Sequence, residues 1–353
     1  VIKRPIRSKS PAQRILKVEV MKSLVLNEVK TPFAIEERPA PLTTKGDVVI
    51  KLHAASLNRR DFWITQGMYP DIKLPIILGS DGAGEVVVAC DSIDHIVADQ
   101  RVIINPGWDW GDSEQAQDPN FKILGMPDHG TFAEIVAVPY QYVHPLPSHL
   151  DFAQAAALPL AGVTAYRALF SQGQLQAGEN VLISGVGGGV ATFALQFAVA
   201  AGANVFVTSS CSQKIDKAIS LGAKAGYDYR QEDWHNAAQS DHGEMNLIID
   251  SGAGDGYANL VDLAAFGGRI VNYGATAGPP RKLDMFKVFW KQLRLIGSTM
   301  GSPRDFSQML ELVNTHKIEP AIDEQFDLED GNKAFDRLRE STQFGKVVLR
   351  IDE

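Results

Sequence analysis

Cysteine is almost missing from this chain: Cys90 and Cys211 are the only two among 353 residues. Two thiols cannot form a disulfide framework or the four-cysteine lobe of a structural zinc within one chain. Their scarcity fits a reducing, cytoplasmic setting. Positive charge is also short. The formal net charge is −8, and the first twenty residues (VIKRPIRSKSPAQRILKVEV) hold six Lys/Arg against one Glu, so the chain from Met21 onward is more acidic still. That balance excludes nucleic acid as the main partner. Long apolar runs are lacking as well. No stretch of about 18 residues is free enough of polar residues to read as a membrane span, and Phe193 to Val207 reads as helix, turn and strand. The basic segment before Met21 has no apolar signal core and contains Pro5 and Pro11. It reads as an added or upstream-translated extension, with MKSLVLNEV as the natural start, rather than as a targeting peptide.

The residues that are present, 45% of them hydrophobic and 22% charged, suffice for two globular domains of the α/β class. From Met21 to about Leu150 the β-branched runs VVIKLHAAS, GAGEVVV and RVIINP alternate with Gly, Pro and Asp clusters, which predicts short strands joined by loops. Trp108 to Asp128 is a long polar and aromatic insertion of the kind that rims a pocket. After Asp151 the rhythm changes. A helix over Phe152 to Gln172 leads into strand NVLIS, a glycine cluster, helix TFALQFAVAAG and strand NVFVTS. A helix from Gln213 to Leu221, strand NLIID, helix NLVDLAAFG and strand RIVNYG follow. Strands alternating with helices predict a parallel, doubly wound sheet. The expected organisation is an extension at 1–20, a β-rich domain at 21–150, a nucleotide-binding domain at 151–300, and a return to the first domain at 301–353. No internal repeat or low-complexity tract interrupts it.

The glycine cluster SGVGGGVATFALQ places Gly185, Gly187, Gly188 and Gly189 between a strand and an apolar helix. In that context bare backbone approaches a pyrophosphate, and free N–H groups at the helix start meet its charge. The spacing G-x-G-x-x-G is not met, because Val190 takes the sixth place; Gly185-x-x-Gly188-x-x-Ala191 is what fits. The next strand ends VTSSCSQK, with Ser209 and Ser210 where an NAD site offers a carboxylate, and Lys214 lies four residues beyond. A carboxylate about 4 Å from a 2′-phosphate would cost roughly 4 kcal/mol at an effective dielectric near 20. Its absence beside a lysine predicts NADPH.

LNRRDFWITQGMYP, LGSDGAGEV, GTFAE, AAALPLAGVTAYRAL, the glycine turn and LIGSTMGS together resemble the medium-chain dehydrogenase/reductase superfamily from about Met21 to the C-terminus. The resemblance implies a GroES-like catalytic domain, a Rossmann cofactor domain, hydride transfer in the cleft between them, and a homodimer. It is closest to the zinc-independent, NADPH-dependent quinone oxidoreductase and enone reductase branch, whose relatives are often labelled zinc-type alcohol dehydrogenases. Where zinc-dependent relatives place their ligands, this chain has Asn58, Ser80-Asp81 and Leu160, and His53, His95, His129 and Cys90 show no ligand spacing. No metal is expected. Thr164 matches the residue that packs on the nicotinamide, Tyr229 the tyrosine that joins Lys214 at the 2′-phosphate, and Gly274 with Ser298, Thr299 and Met300 the strand ends facing the nicotinamide.

A site without metal suits an activated acceptor, a quinone or an α,β-unsaturated carbonyl, better than a simple alcohol. Asn58 is the candidate carbonyl contact and Tyr69 the candidate proton donor, the latter from its resemblance to the QG-x-YP tyrosine of enoyl-reductase relatives. Asp61 orients the loop between them. Asn58 in a turn, Asp61 as a helix cap and Tyr69 packed beside Pro70 are the structural alternatives. Trp63, Trp108 and Trp110 offer a flat aromatic pocket or serve as anchors. A zinc alcohol dehydrogenase and a non-enzymatic NADPH-binding redox sensor are the rival functions.

Overall fold

The computed structural model describes residues 20–42, 44, 46–89 and 96–351. Cys90, His95 and the basic segment up to residue 19 lie outside them. Six parallel strands form one sheet in the order Ala225–Asp228, Asn204–Ser209, Asn180–Ile183, Met245–Asp250, Ala264–Asn272, Arg294–Gly297. The chain starts in the middle, winds outward one way, then returns and winds the other, the doubly wound order whose reversal point opens a ligand crevice at the strand C-termini. The strand NVLI shows why its sequence is apolar throughout. Val181 and Ile183 face one core with Phe193 and Phe197 of the helix Gly189–Ala200, while Leu182 faces the opposite core with Trp234 and Leu260. Side chains alternate across a strand, so a sheet covered on both faces needs apolar residues at every position.

The second large sheet is built round Asp47–Ser56, which pairs antiparallel with Asp81–Val88, Ile135–Pro139 and Lys346–Arg350. Lys346–Arg350 and its parallel neighbour Ile322–Asp327 come from the end of the chain, and Lys346–Arg350 pairs with Asp47–Ser56. This α/β pairing of a GroES-like sheet with a Rossmann-type sheet is the predicted fold class. Among the described residues no helix is long and apolar enough to cross a membrane.

Two expectations about helices are corrected, and one open alternative about the tryptophans is decided. The single helix over Phe152 to Gln172 is three pieces: Phe152–Ala157, Pro159–Tyr166, and a π-helical turn Arg167–Gln172. Pro159 has no N–H to continue the first helix and instead occupies the first turn of the second. The helix NLVDLAAFG stops at Leu263, and Ala264 already pairs in the sheet with Met245. The register then jumps to Leu247 opposite Arg269, and the intervening Ala-Phe-Gly-Gly bulges out with Gly267 at φ 72°. The long insertion folds down on the protein. Trp108 stacks on Tyr142, while Trp110 meets Phe121 edge-on and the Arg167 guanidinium 4.9 Å from its ring. Both tryptophans are buried anchors.

Candidate active site

The short helix Arg59–Thr65 organises one side of the candidate site. Asn58 caps it in an extended conformation, and the Asn58 backbone N–H donates to Asp61 Oδ2 at 2.8 Å. Asp61 therefore sits at the third helical position and closes the cap from inside; the cap residue itself is Asn58. Asp61 is fully buried and its Oδ1 has no hydrogen-bond partner. Burial pushes its carboxyl up to about 6, opposed by Arg60.

The Asn58 side chain turns the other way, into a buried polar knot. Its Nδ2 donates to Asp81 Oδ2 at 2.9 Å, and its Oδ1 accepts from Lys346 Nζ at 2.7 Å. Lys346 Nζ also reaches Asp81 Oδ2 at 3.0 Å, and Asp81 Oδ1 accepts the Leu160 backbone N–H at 2.8 Å. Asp81 thus bonds to both Asn58 and the Leu160 backbone, far apart in sequence. The Asn58 side chain serves this knot. Beside it, Arg60 donates to Ser80 Oγ at 2.8 Å and to the Leu124 carbonyl, and its guanidinium lies 5.2 Å from the Tyr69 ring centroid. Tyr69 is half-buried against the same cluster as Phe62. Its hydroxyl makes no hydrogen bond among the described residues. Arg60 and Lys346, the two cations that organise the site, were not singled out from sequence. Lys346 comes from the far end of the chain, and nothing in FGKVVL announces burial.

On the nucleotide side the four glycines divide into two pairs. Gly185 (φ 64°) and Gly188 have open space where a Cβ would stand. A Cβ on Gly187 (φ 127°) would lie 2.8 Å from Lys214 Cδ, and one on Gly189 would lie 2.6 Å from Lys346 Cδ. Two glycines thus leave a bare cradle at the start of the helix Gly189–Ala200, and two let lysine stems pass. Ala191 is buried at the close helix-to-sheet contact.

Lys214 Nζ donates to the Ser341 carbonyl at 2.9 Å, and Arg59 reaches Ser341 Oγ at 2.9 Å and the Leu338 carbonyl at 3.1 Å. Neither has a carboxylate partner among the described residues. Burial lowers the pKa of both, and for Lys214 the nearby Arg337 and Arg59 act in the same direction. Such cations beside a glycine cradle fit a phosphorylated ligand. Ser209 is buried at its strand end, and Ser210 is half-buried after it. Tyr229 follows the neighbouring strand, where Asp228 pairs with Ser209, and is largely exposed. Lys214 points toward Ser341 and passes Gly187.

Thr164 is buried, with its hydroxyl donating to the Leu160 carbonyl at 2.7 Å and Met300 Sδ 4.0 Å away. Met300 is held at φ 46° and is itself buried. Ser298 follows the strand Arg294–Gly297, its backbone N–H on the Asn272 carbonyl and its buried Oγ without a partner among the described residues. Thr299 is exposed between them. Gly274 lies just past Asn272, its Cβ position 3.1 Å from the Ser251 carbonyl. Met300 thus stands beside Thr164, while Ser298, on a neighbouring strand end, carries a buried hydroxyl with no partner among the described residues.

A two-lobed architecture, with a bare glycine turn on one lobe and a buried polar knot on the other, defines a nucleotide-dependent oxidoreductase of the dehydrogenase type. Residues 44–148 match the alcohol dehydrogenase GroES-like domain and residues 189–315 the zinc-binding dehydrogenase family. The "Zinc-type alcohol dehydrogenase-like protein YogA" of Leptosphaeria maculans is 35% identical, covering 92% of this chain and 96% of its own. An acryloyl-coenzyme A reductase of Metallosphaera sedula is 27% identical over 93% of this chain and 99% of its own. The crystal structure of an NAD-dependent alcohol dehydrogenase superposes with a TM-score of 0.89 at 31% identity, covering 94% of this chain and 100% of that one. The chain belongs to the medium-chain dehydrogenase/reductase superfamily, among the zinc-type alcohol dehydrogenase-like proteins.

The zinc in that family name does not fit these residues. Among the described residues no three His, Cys, Asp or Glu side chains gather as a metal site. His129 accepts the Ile77 backbone N–H, and His53 stacks on Phe152. Asp81 already receives the Lys346 ammonium, two further side-chain donors and a backbone N–H.

Proposed function

We propose that this oxidoreductase is NADPH-dependent and reduces activated acceptors, quinones or α,β-unsaturated carbonyls, without zinc. The observation that carries the reading is the knot of Asn58, Asp81 and Lys346, in which the side chains at positions 58 and 81 are hydrogen-bonded to each other and to the Lys346 ammonium. A bound nicotinamide nucleotide supplies the hydride. The protein's part is to bind it over Gly185 and Gly188, with Lys214 and Arg59 toward its phosphates and Thr164, Met300 and Ser298 toward the nicotinamide. Asn58 keeps one Nδ2 hydrogen unused among the described contacts and donates it to the acceptor's carbonyl oxygen. A neutral donor suffices there because an enone or quinone already delocalises the incoming charge. Tyr69 supplies the proton that carbon requires. The acryloyl-coenzyme A reductase among the relatives supports an activated double bond as substrate.

The deciding experiment is a substrate panel with NADPH and NADH, run with and without a chelator. Expected are turnover of quinones and enones with NADPH preferred, negligible oxidation of simple alcohols, and no loss on chelation. Lys214→Ala should weaken NADPH by roughly 10- to 100-fold, the loss of one charge-assisted hydrogen bond, and leave NADH nearly unchanged. Stoichiometric zinc lost together with activity would overturn the metal-free mechanism; equal losses for both nucleotides would overturn the role of Lys214.

We also propose a homodimer formed through the open edge Arg294–Gly297. That strand ends the parallel sheet with unpaired backbone groups, and beside it Phe286, Phe289 and Trp290 are each about 60% exposed. An unpaired edge next to an apolar patch favours association. Sedimentation should give twice the chain mass, and Leu295→Lys combined with Trp290→Glu should give monomers. A monomeric parent would refute it.

A further inference from the structure

Asn58 carries both a donor and an acceptor on one planar amide, and a half-turn about its last bond exchanges them. An asparagine meant to donate to a substrate oxygen therefore needs something to hold it the right way round. Here the holding group is Lys346. An ammonium only donates, so the amide atom 2.7 Å from Lys346 Nζ must be the oxygen. A carboxylate only accepts, so the atom 2.9 Å from Asp81 Oδ2 must be the nitrogen. The two constraints agree, and the direct contact of Lys346 with Asp81 locks them into a closed triangle. A flipped amide would set its NH2 against the ammonium and its oxygen against the carboxylate, two repulsions in a site shielded from water. The same contacts polarise the amide, because an oxygen accepting from a cation makes the N–H groups stronger donors.

Lys346 reaches this place by a built route. Its side chain is 3% exposed although it stands at the start of the strand Lys346–Arg350, and its stem crosses under the first residue of the helix Gly189–Ala200. Gly189 has no side chain, and a Cβ there would lie 2.6 Å from Lys346 Cδ. The backbone next to it is tied to the glycine turn, with Gly345 N–H donating to the Gly187 carbonyl at 2.9 Å. One lobe therefore threads a charged side chain past the nucleotide cradle of the other and ends it on the substrate-facing amide.

We infer that Lys346 is a positioning residue for the reduction: it fixes and polarises the Asn58 amide so that Nδ2–H, not Oδ1, is offered to the acceptor's carbonyl oxygen. This rests on the assignment of Asn58 as the carbonyl contact.

The test is a double-mutant cycle on kcat at saturating NADPH with an enone substrate. Asn58→Ala should lower kcat by about 10²-fold, as loss of one oxyanion donor does. Lys346→Met, which keeps the stem and removes the charge, should lower it by roughly 10- to 100-fold. The double variant should be no slower than Asn58→Ala, since Lys346 has nothing left to orient. Multiplying losses, or a parental kcat in Lys346→Met, would overturn the inference while leaving Asn58 in place. A parental kcat in Asn58→Ala would overturn the carbonyl assignment itself, and the inference with it. Lys346→Met leaves Asp81 buried without its cation and can unfold the chain. Asp81→Asn with Lys346→Met keeps the site neutral, and its folding is checked by circular dichroism. The same slow kcat is expected from that pair, and a parental value there would also overturn the inference.

Discussion

Tyr69→Phe should slow enone reduction by about 10²- to 10⁴-fold, the range a positioned acid contributes when a proton must reach carbon. Quinone reduction should be largely spared, because its protons go to oxygen and water supplies them. The structure makes this substitution a clean one. The Tyr69 ring lies 5.2 Å from the Arg60 guanidinium and packs with Phe62, contacts that phenylalanine keeps. Its hydroxyl makes no hydrogen bond among the described residues, so removing it leaves no buried partner unsatisfied. NADPH affinity measured on the same protein is the control. Undiminished enone turnover would reduce Tyr69 to a packing residue. Loss of quinone turnover and NADPH binding together would indicate a damaged fold.

The second large effect is on stability. Asp305→Ala should destabilise the protein by about 3–5 kcal/mol, the cost of leaving a buried charge without its partner. Arg167 is 2% exposed; its Nη1 donates to Asp305 Oδ2 at 2.8 Å, and its Nη2 holds the carbonyls of Glu114 and Gln115 at 3.0 and 2.9 Å. Asp305 in turn accepts the Ser302 backbone N–H at 2.8 Å and the Ser171 hydroxyl. The pair fastens the long insertion to the helices of the nucleotide lobe, beside Met300. Arg167→Met combined with Asp305→Leu should recover much of the lost stability, because no lone charge remains. That double variant should still be cut faster by protease near Glu114, since the two carbonyl anchors are gone. Denaturant midpoints for the single and double variants check the first effect. A fall of under 1 kcal/mol for Asp305→Ala would mean that water reaches the guanidinium.

Much of the architecture was legible because it rests on local chemistry. Continuous apolar strands, amphipathic and apolar helices, and a glycine turn between them specify a parallel sheet whatever lies elsewhere. The errors came where one distant residue overrides a local pattern. The Ala-Ala-Phe-Gly-Gly stretch looks helical until Ala264 pairs with Met245. Trp108 and Trp110 left pocket and anchor equally open in the sequence, and Tyr142, Phe121 and Arg167 decide for anchors.

The site divides in the same way. Composition and spacing alone determined that this chain carries a glycine cluster at a helix start and that no carboxylate follows at the end of the next strand, and the family resemblance added that Asn58, Ser80-Asp81 and Leu160 stand where zinc-dependent relatives place ligands. These are properties of single letters and short intervals. Only the tertiary structure decided that Lys346 crosses 288 residues of sequence separation to reach Asn58, that Gly187 and Gly189 make room for lysine stems, and that Arg59 and Lys214 meet at Ser341. The reason is physical: a buried cation is placed by the partners that offset its desolvation, and those partners become neighbours only when strands from the two ends of the chain pair in one sheet.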